Sequence, residues 1–382
     1  MFSVTTDKTE EKDFLDIRDF LHRAVIHRAS DIHVKVRSRI MARIHGLLLP
    51  FSDFALDEKL ARQIVYSTMR EDQIRRFEEN LELDYSYEAS GIGRFRANAC
   101  IQQGTVAASF RHVPSSIPTI EELHLPAICA RLAHLPRGLI LVCGPTGCGK
   151  STTIAALIDY INSTHSCRIV TIEDPIEFIY EERKAMIIQR EVYRDTKAFP
   201  SALRETLRQD PNVIVVGEMR DLETMALALT AAETGHLVIA TLHSQGASQN
   251  IDRIIDVFPP GQQEQIRYQM SNTIQAVITQ LLLRTAKGDA RLPAVEVMMA
   301  THSIRNLIRE SKTHQIKSVM QTSSRSGMQT MDQALAELVA TGDVSLEEAL
   351  TMSEIPEDMR NYLERFRAPK AVTRASAKPH RS

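Results

Sequence analysis

The stretch Leu139-Ile-Leu-Val-Cys-Gly-Pro-Thr-Gly-Cys-Gly-Lys-Ser-Thr152 restricts the possible folds of this chain more than any other. Leu139 to Val142 are apolar in an unbroken run, which predicts a strand buried on both faces of a parallel sheet. Gly144-x-x-x-x-Gly149-Lys150-Ser151 follows with the spacing of a phosphate-binding P-loop. Thr153 to Ile161 then predicts a helix with Ile154, Leu157, Ile158 and Ile161 on one face. Each part has a physical task. Glycines let the backbone curl so that N–H groups point at phosphate oxygens. The helix start adds the positive end of a dipole. Lys150 is placed to neutralise β- and γ-phosphates, and the Ser151 hydroxyl to ligate Mg²⁺. Gly144, Pro145, Thr146, Gly147, Cys148, Gly149, Lys150, Ser151 and Thr152 are therefore the candidate nucleotide site, with ATP and Mg²⁺ as the implied cofactors.

Three more apolar runs support an α/β core. Ile169 to Ile172 delivers Glu173-Asp-Pro-Ile-Glu177 at its end, and Val213 to Val216 delivers Gly217-Glu218. Carboxylates there can orient water or Mg²⁺, because ligands bind beyond the carboxyl ends of strands in open α/β sheets. Leu237 to Thr241 is flanked by His236 and His243. Each histidine is either a turn or core residue satisfied locally, or a contact to the γ-phosphate that reports its loss.

The 382 residues suit two or three domains. A formal charge of −2 gives no global attraction to nucleic acid. Met1 to Phe14 is polar and acidic, unlike a signal peptide. No apolar run reaches the roughly 18 residues of a spanning helix. Cys100, Cys129, Cys143, Cys148 and Cys167 form no C-x-x-C pair, which indicates a reducing cytoplasm without structural zinc.

The expected organisation is a small α+β domain over 1–112, a linker over 113–119, an ATPase core over 120–290, a helical C-terminal region over 291–366 and a basic disordered tail over 367–382. In the first domain Asp13 to Ala29 predicts a helix. Ile32, Val34 and Val36 alternate with polar residues and pair with Ile40 to Ile44 as a hairpin. Ala61 to Glu79 predicts one helix. Arg94 to Val113 alternates around a Gln103-Gly104 turn, so paired residue numbers sum to 207. That register sets Arg96 opposite Arg111, and like charges directly opposed in a sheet repel. They are either two solvated side chains that splay apart or a pair awaiting an anion. Further on, Glu121 to Leu135 predicts a helix interrupted at Pro126, and Glu264 to Leu283 predicts a single helix. Ser303 to Glu310 predicts an amphipathic helix with Arg305 and Arg309 on its second face.

Four ordered motifs make the chain resemble the secretion-ATPase superfamily that powers type II secretion and type IV pili. They are Gly144 to Thr153 (Walker A), Thr171-Ile-Glu-Asp-Pro-Ile-Glu177 (the Asp box), Val216-Gly-Glu-Met-Arg-Asp221 (Walker B) and Gly235-His-Leu-Val-Ile-Ala-Thr-Leu-His243 (the His box). Ser303-Ile-Arg-Asn-Leu-Ile-Arg-Glu310 is similar to a signature of PilT-like pilus retraction ATPases, with Ser303 in an alanine place. The resemblance implies a RecA-like P-loop core joined to a PAS-like N-terminal domain, in a homo-hexamer. It implies Glu177 as water-activating base, Glu218 as the carboxylate on the metal side, and His236 and His243 as nucleotide sensors. Arg96 and Arg111 would compensate γ-phosphate charge, and Lys150 would complete the catalytic set. The implied partners are an inner-membrane pilus platform protein and a paralogous pilus ATPase, with no nucleic acid; the implied location is the cytoplasmic face of the membrane. An extension or secretion motor, an accessory paralogue, a RecA-like nucleic-acid translocase and a catalytically silent binding module remain alternatives. Cys148 stands where serine is usual, so its thiol is a candidate for oxidation. The hairpin from Val36 to Ile40 is shorter than in relatives, which carry a longer proline-containing connection.

Overall fold

The computed structural model of the chain describes residues 16–44, 46–113 and 116–367. It divides into two compact units, one holding the residues up to Ile117 with Asp174–Tyr180, the other Pro118–Glu173 with the residues from Glu181 onward. The acidic start, Pro114 and Ser115 of the linker, and the tail cations Lys370, Arg374, Lys378 and Arg381 lie outside the described residues.

The first unit holds α1 (Ile17–Ile26), β1 (Asp31–Lys35), β2 (Arg39–Ile44), β3 (Leu47–Ala55), α2 (Glu58–Tyr66), α3 (Glu71–Asn80), β4 (Glu82–Ala89), β5 (Gly93–Gln102) and β6 (Thr105–Val113). The strands form an antiparallel sheet in the order β3-β2-β1-β6-β5-β4. With its three helices this is the PAS-like α+β arrangement. The expected hairpins form, and Arg94↔Val113 through Gln102↔Thr105 keep the sum of 207. Gln103 and Gly104 both have positive φ, as a two-residue turn of matching twist requires. Phe95, Ala97, Ala99, Val106, Ala108 and Phe110 are buried.

Two expectations in this unit need correction. α1 is shorter than Asp13 to Ala29, because the Asp16 side chain caps it by accepting the Arg18 N–H and Arg28 turns to positive φ. The single helix from Ala61 to Glu79 is two helices, separated where Arg70 opens α3 with a Gln73 capping box. β3, which the sequence reading did not assign, carries no clean alternation: Leu47, Leu48 and Leu49 are all exposed. Its pairing to β2 makes it a strand.

The second unit holds α4 (Ile128–Ala133), β7 (Gly138–Cys143), α5 (Lys150–Thr164), β8 (Arg168–Glu173), β9 (Met186–Glu191), α6 (Phe199–Thr206), β10 (Val213–Val216), α7 (Leu222–Glu233), β11 (Leu237–Leu242), α8 (Ala247–Asp256), α9 (Pro260–Thr273), β12 (Ile274–Arg284), β13 (Arg291–Met299), α10 (His302–Arg309), α11 (Ile316–Thr322), α12 (Met331–Thr341), α13 (Leu346–Met352) and α14 (Pro356–Arg367). The sheet order is β13-β12-β7-β11-β10-β8-β9, parallel except for β13. Every residue of β7, β10 and β11 is buried, as helices on both faces of a parallel sheet demand. This is the RecA-like core.

The predicted helix from Glu264 to Leu283 is wrong beyond Thr273. Ile274 to Arg284 is instead a strand beside β7. Ile274, Val277, Ile278, Leu281 and Leu283 are buried, and a run apolar on both faces suits a central strand as well as a helix. The boundary expected after residue 290 separates β12 from β13, yet the two pair from Ala276↔Met299 to Arg284↔Arg291; the core sheet runs to Met299 and the helical region starts at His302. The helix expected from Glu121 is confined to α4, after Pro126.

Candidate active site

The P-loop leaves the carboxyl end of β7 and turns into α5. Gly144 and Gly149 hold φ of 135° and 93°, where only glycine is comfortable. Space is as limiting as torsion. A Cβ on Gly144 would collide with the Gln280 carbonyl oxygen, and one on Gly149 would sit 3.1 Å from Gln280 Nε2. Lys150, the first residue of α5, is 9% exposed. Its Nζ donates to the carbonyls of Gly144 at 2.8 Å and Pro145 at 3.0 Å, so its positive charge is held against the loop. Ser151 and Thr152 lie half-buried in the first helical turn, beside N–H groups that have no partner within the helix.

β10 and β11 bring their terminal residues to the same end of the sheet. Glu218 lies two residues past β10, its side chain only 16% exposed; Oε1 accepts from Arg220 Nε at 2.8 Å and Oε2 is 3.8 Å from His243 Nε2. Thr241 donates its hydroxyl to the Gly217 carbonyl and so ties the two strand ends together. Burial is the main reason that His243 is held below the usual histidine range, and the charges of Lys150, Arg220 and Arg253 add to it. The structure thus gathers the P-loop, Glu218 and His243.

His236 does not join them. It precedes β11, whose Leu237 pairs with Gly138 at the start of β7. The P-loop follows the other end, about 20 Å away at the usual rise per strand residue. His236 Nδ1 contacts the Ala231 carbonyl at 3.0 Å, and its own carbonyl accepts the Gly138 N–H at 3.0 Å. It is a turn residue satisfied locally, and a sensor of phosphate in the same chain's P-loop cannot stand there.

Within the first unit, Arg96 does face Arg111. Each lies beside a carboxylate. Arg96 Nη1 is 3.2 Å from Glu177 Oε1 and its Nη2 is 3.7 Å from Asp84 Oδ2. Arg111 Nε donates to Asp31 Oδ1 at 2.9 Å. The sheet explains these partners: Asp31 is the direct β1 neighbour of Arg111, and Asp84 is two residues from the β4 neighbour Ser86. Asp31 on the interior strand β1 thus balances Arg111, and Glu177 accepts from Arg96.

Sequence reasoning missed Gln280 and Glu296, both on strands it did not assign. Gln280 is 1% exposed; Nε2 donates to the Cys148 carbonyl at 2.6 Å and Oε1 accepts from the Thr153 hydroxyl at 2.8 Å. Glu296 is buried in β13 and accepts the first N–H of α8 at 2.8 Å and of α12 at 3.2 Å. Burial pushes its carboxyl up, more than these bonds pull it down. Its task is to cap two helices. Cys148 also needs correction: it is 3% exposed, and burial raises its thiol above the usual range. It is a packing residue rather than an oxidation site.

A loop with three glycines of positive φ, a lysine held against it and the start of a helix have the composition of a cradle for a nucleotide polyphosphate. Ser151 and Glu218 are oxygen donors of the kind that suits Mg²⁺. No helix among the described residues is long and apolar enough to cross a membrane.

A family model described as type II/IV secretion system protein matches residues 119–292. The type IV pilus retraction ATPase PilT of Pseudomonas aeruginosa is 47% identical over 344 residues, which cover 90% of this chain and 100% of that protein. The type IV pilus ATPase PilU of the same organism is 39% identical over 346 residues, covering 91% of each chain. A crystal structure of the pilus retraction motor PilT and bound ADP matches with a TM-score of 0.84 at 46% identity, over 91% of this chain and 100% of that one.

Proposed function

This chain belongs to the type II/IV secretion system family, in its PilT group, and on that premise we propose that it hydrolyses ATP to ADP and phosphate to drive type IV pilus retraction in twitching motility. The observation that carries this reading is the built P-loop, with Lys150 and Glu218 at one end of the sheet, in a chain that matches the whole length of a PilT. Lys150 balances phosphate charge. The Ser151 hydroxyl and the Glu218 carboxylate would hold Mg²⁺, which supplies further neutralisation of the β- and γ-phosphates. Glu177 is the proposed water-activating base, and Arg96 and Arg111 the compensators of developing charge. His243, which burial holds below the usual histidine range, is proposed to read the nucleotide state through Glu218.

The working form in this reading is a homo-hexamer at the cytoplasmic face of the inner membrane. It acts on the pilus platform protein, without nucleic acid. The match to PilU supports a paralogous pilus ATPase as a second partner.

Two experiments test the reading. Lys150→Ala should nearly abolish phosphate release and leave the circular dichroism spectrum unchanged; wild-type turnover in that variant would remove the P-loop from the mechanism. Deleting the gene should leave cells with retained or excess pili and no twitching. Bald cells would instead mean an extension motor.

A further inference from the structure

Gln280 lies on β12 one residue beyond the pair Thr279↔Cys143, so it stands level with Gly144 where β7 becomes the P-loop. It meets that loop at three points and the helix after it at a fourth. Its carbonyl closes the space over Gly144, and its amide nitrogen closes the space over Gly149. Its Nε2 donates to the Cys148 carbonyl at 2.6 Å, and its Oε1 accepts from Thr153 in α5 at 2.8 Å. The side chain is almost wholly shielded from water, so losing either bond leaves a buried polar group unpaired.

The bond to Cys148 has a directional consequence. The peptide that joins Cys148 to Gly149 is planar and trans, so its C=O and N–H point in opposite directions. Holding the carbonyl toward β12 turns the Gly149 N–H away from β12. A loop with three glycines of positive φ (Gly144, Gly147, Gly149) has many other conformations open to it, and holding one is entropically unfavourable without an anchor.

We infer that Gln280 is a positioning residue for phosphate binding: it fixes the orientation of the Cys148–Gly149 peptide and locks the P-loop to the start of α5 through Thr153. This deepens the proposed function and rests on the P-loop holding a nucleotide. The backbone N–H groups of such a loop serve the α- and β-phosphates, which ADP and ATP share. Both nucleotides must therefore feel the anchor alike.

The test is nucleotide affinity of the full-length protein, measured with ADP and with ATP, at a temperature where wild type and variants have the same circular dichroism. Gln280→Leu keeps much of the volume and removes both bonds; it should weaken ADP and ATP about tenfold or more each, raise KM by the same factor and leave kcat within about twofold. Gln280→Glu sets a carboxylate against the Cys148 carbonyl at neutral pH. Lowering the pH protonates that carboxyl and restores a donor, so affinity relative to wild type should recover from pH 7.5 to 5.5. Gln280→Leu should show no such recovery. Thr153→Ser should bind as wild type does, and Thr153→Val should weaken binding. Wild-type affinity in Gln280→Leu, or a Gln280→Glu defect that does not follow pH, overturns the inference. If Gln280→Leu does not fold, Gln280→Glu and the two Thr153 variants decide it. Failure of the wild type itself to bind ADP would overturn the P-loop reading instead.

Discussion

Glu218 and Glu177 are separated by their partners as much as by their positions. Glu218 bonds Arg220 and lies beside His243, whereas Glu177 is paired with Arg96. Glu177→Gln should keep ATP binding and lose turnover by about 10²-fold or more, the usual scale for a missing general base. Glu218→Gln should shift the Mg²⁺ titration to higher concentration. Phosphate release measured across that titration checks both; normal hydrolysis by both variants would leave the two roles unsupported. His243 supplies a pH test. Its ordinary value of 6.5 is lowered in the fold, so the unfolded chain binds the proton more readily. The stability it contributes is complete above about pH 6.5 and is lost as pH falls through the folded value. His243→Gln cannot titrate, so its melting temperature should fall less than that of the wild type between pH 7.5 and 5. Parallel melting curves would assign the acid sensitivity to other histidines, His33, His112 and His165, which are also lowered.

Among the elements, α10 takes its meaning from what Arg305 holds. The guanidinium donates to the carbonyls of Ala300 at 2.9 Å, Ser271 at 2.7 Å and Asn272 at 2.9 Å, and to Gln275 Oε1 at 3.1 Å. It thereby caps the end of α9 and grips the start of β12, the strand that carries Gln280. Ile304 and Ile308 are fully buried, so changing them would test folding more than coupling. Arg305→Ala is the cleaner variant. It should lower stability by about 2 kcal/mol, the scale of lost bonds to a charged donor, and stop twitching at normal protein level. Arg305→Lys should not restore movement, because one ammonium cannot match a fork spread over four acceptors. Unchanged motility in Arg305→Ala would refute a coupling role for α10. The sequence showed the amphipathic period of this helix. It did not show the Ser271 and Asn272 carbonyls or the Gln275 side chain that the arginine holds, which lie about thirty positions earlier.

For the molecule as a whole, the question is whether arginines in the first unit serve hydrolysis by the second. Arg96 and Arg111 are 39% and 65% exposed and balanced by carboxylates, and exposed ion pairs contribute about 0–1 kcal/mol. Arg96→Ala and Arg111→Ala should therefore melt close to wild type, while turnover falls strongly if the arginines compensate phosphate charge. Near-normal turnover in both variants would sink that role. What the sequence determined alone was local. The P-loop, its helix, and the strands β7, β8, β10 and β11 with their acidic or histidine ends were legible, since contiguous residues encode them. So was the register of β5 with β6, because a two-residue turn leaves only one pairing. The tertiary structure decided the remainder. An apolar run such as Ile274 to Leu283 satisfies a helix or a strand equally, and the hydrogen bonds offered by β7 chose the strand. That choice set Gln280 against the P-loop. Strand direction set His236 at the end of the sheet away from the P-loop, and residues distant in sequence, Asp31, Asp84 and Glu177, gave Arg111 and Arg96 carboxylate partners. Each of these outcomes depends on a partner distant in sequence, and periodicity carries no record of which distant residue will be the neighbour.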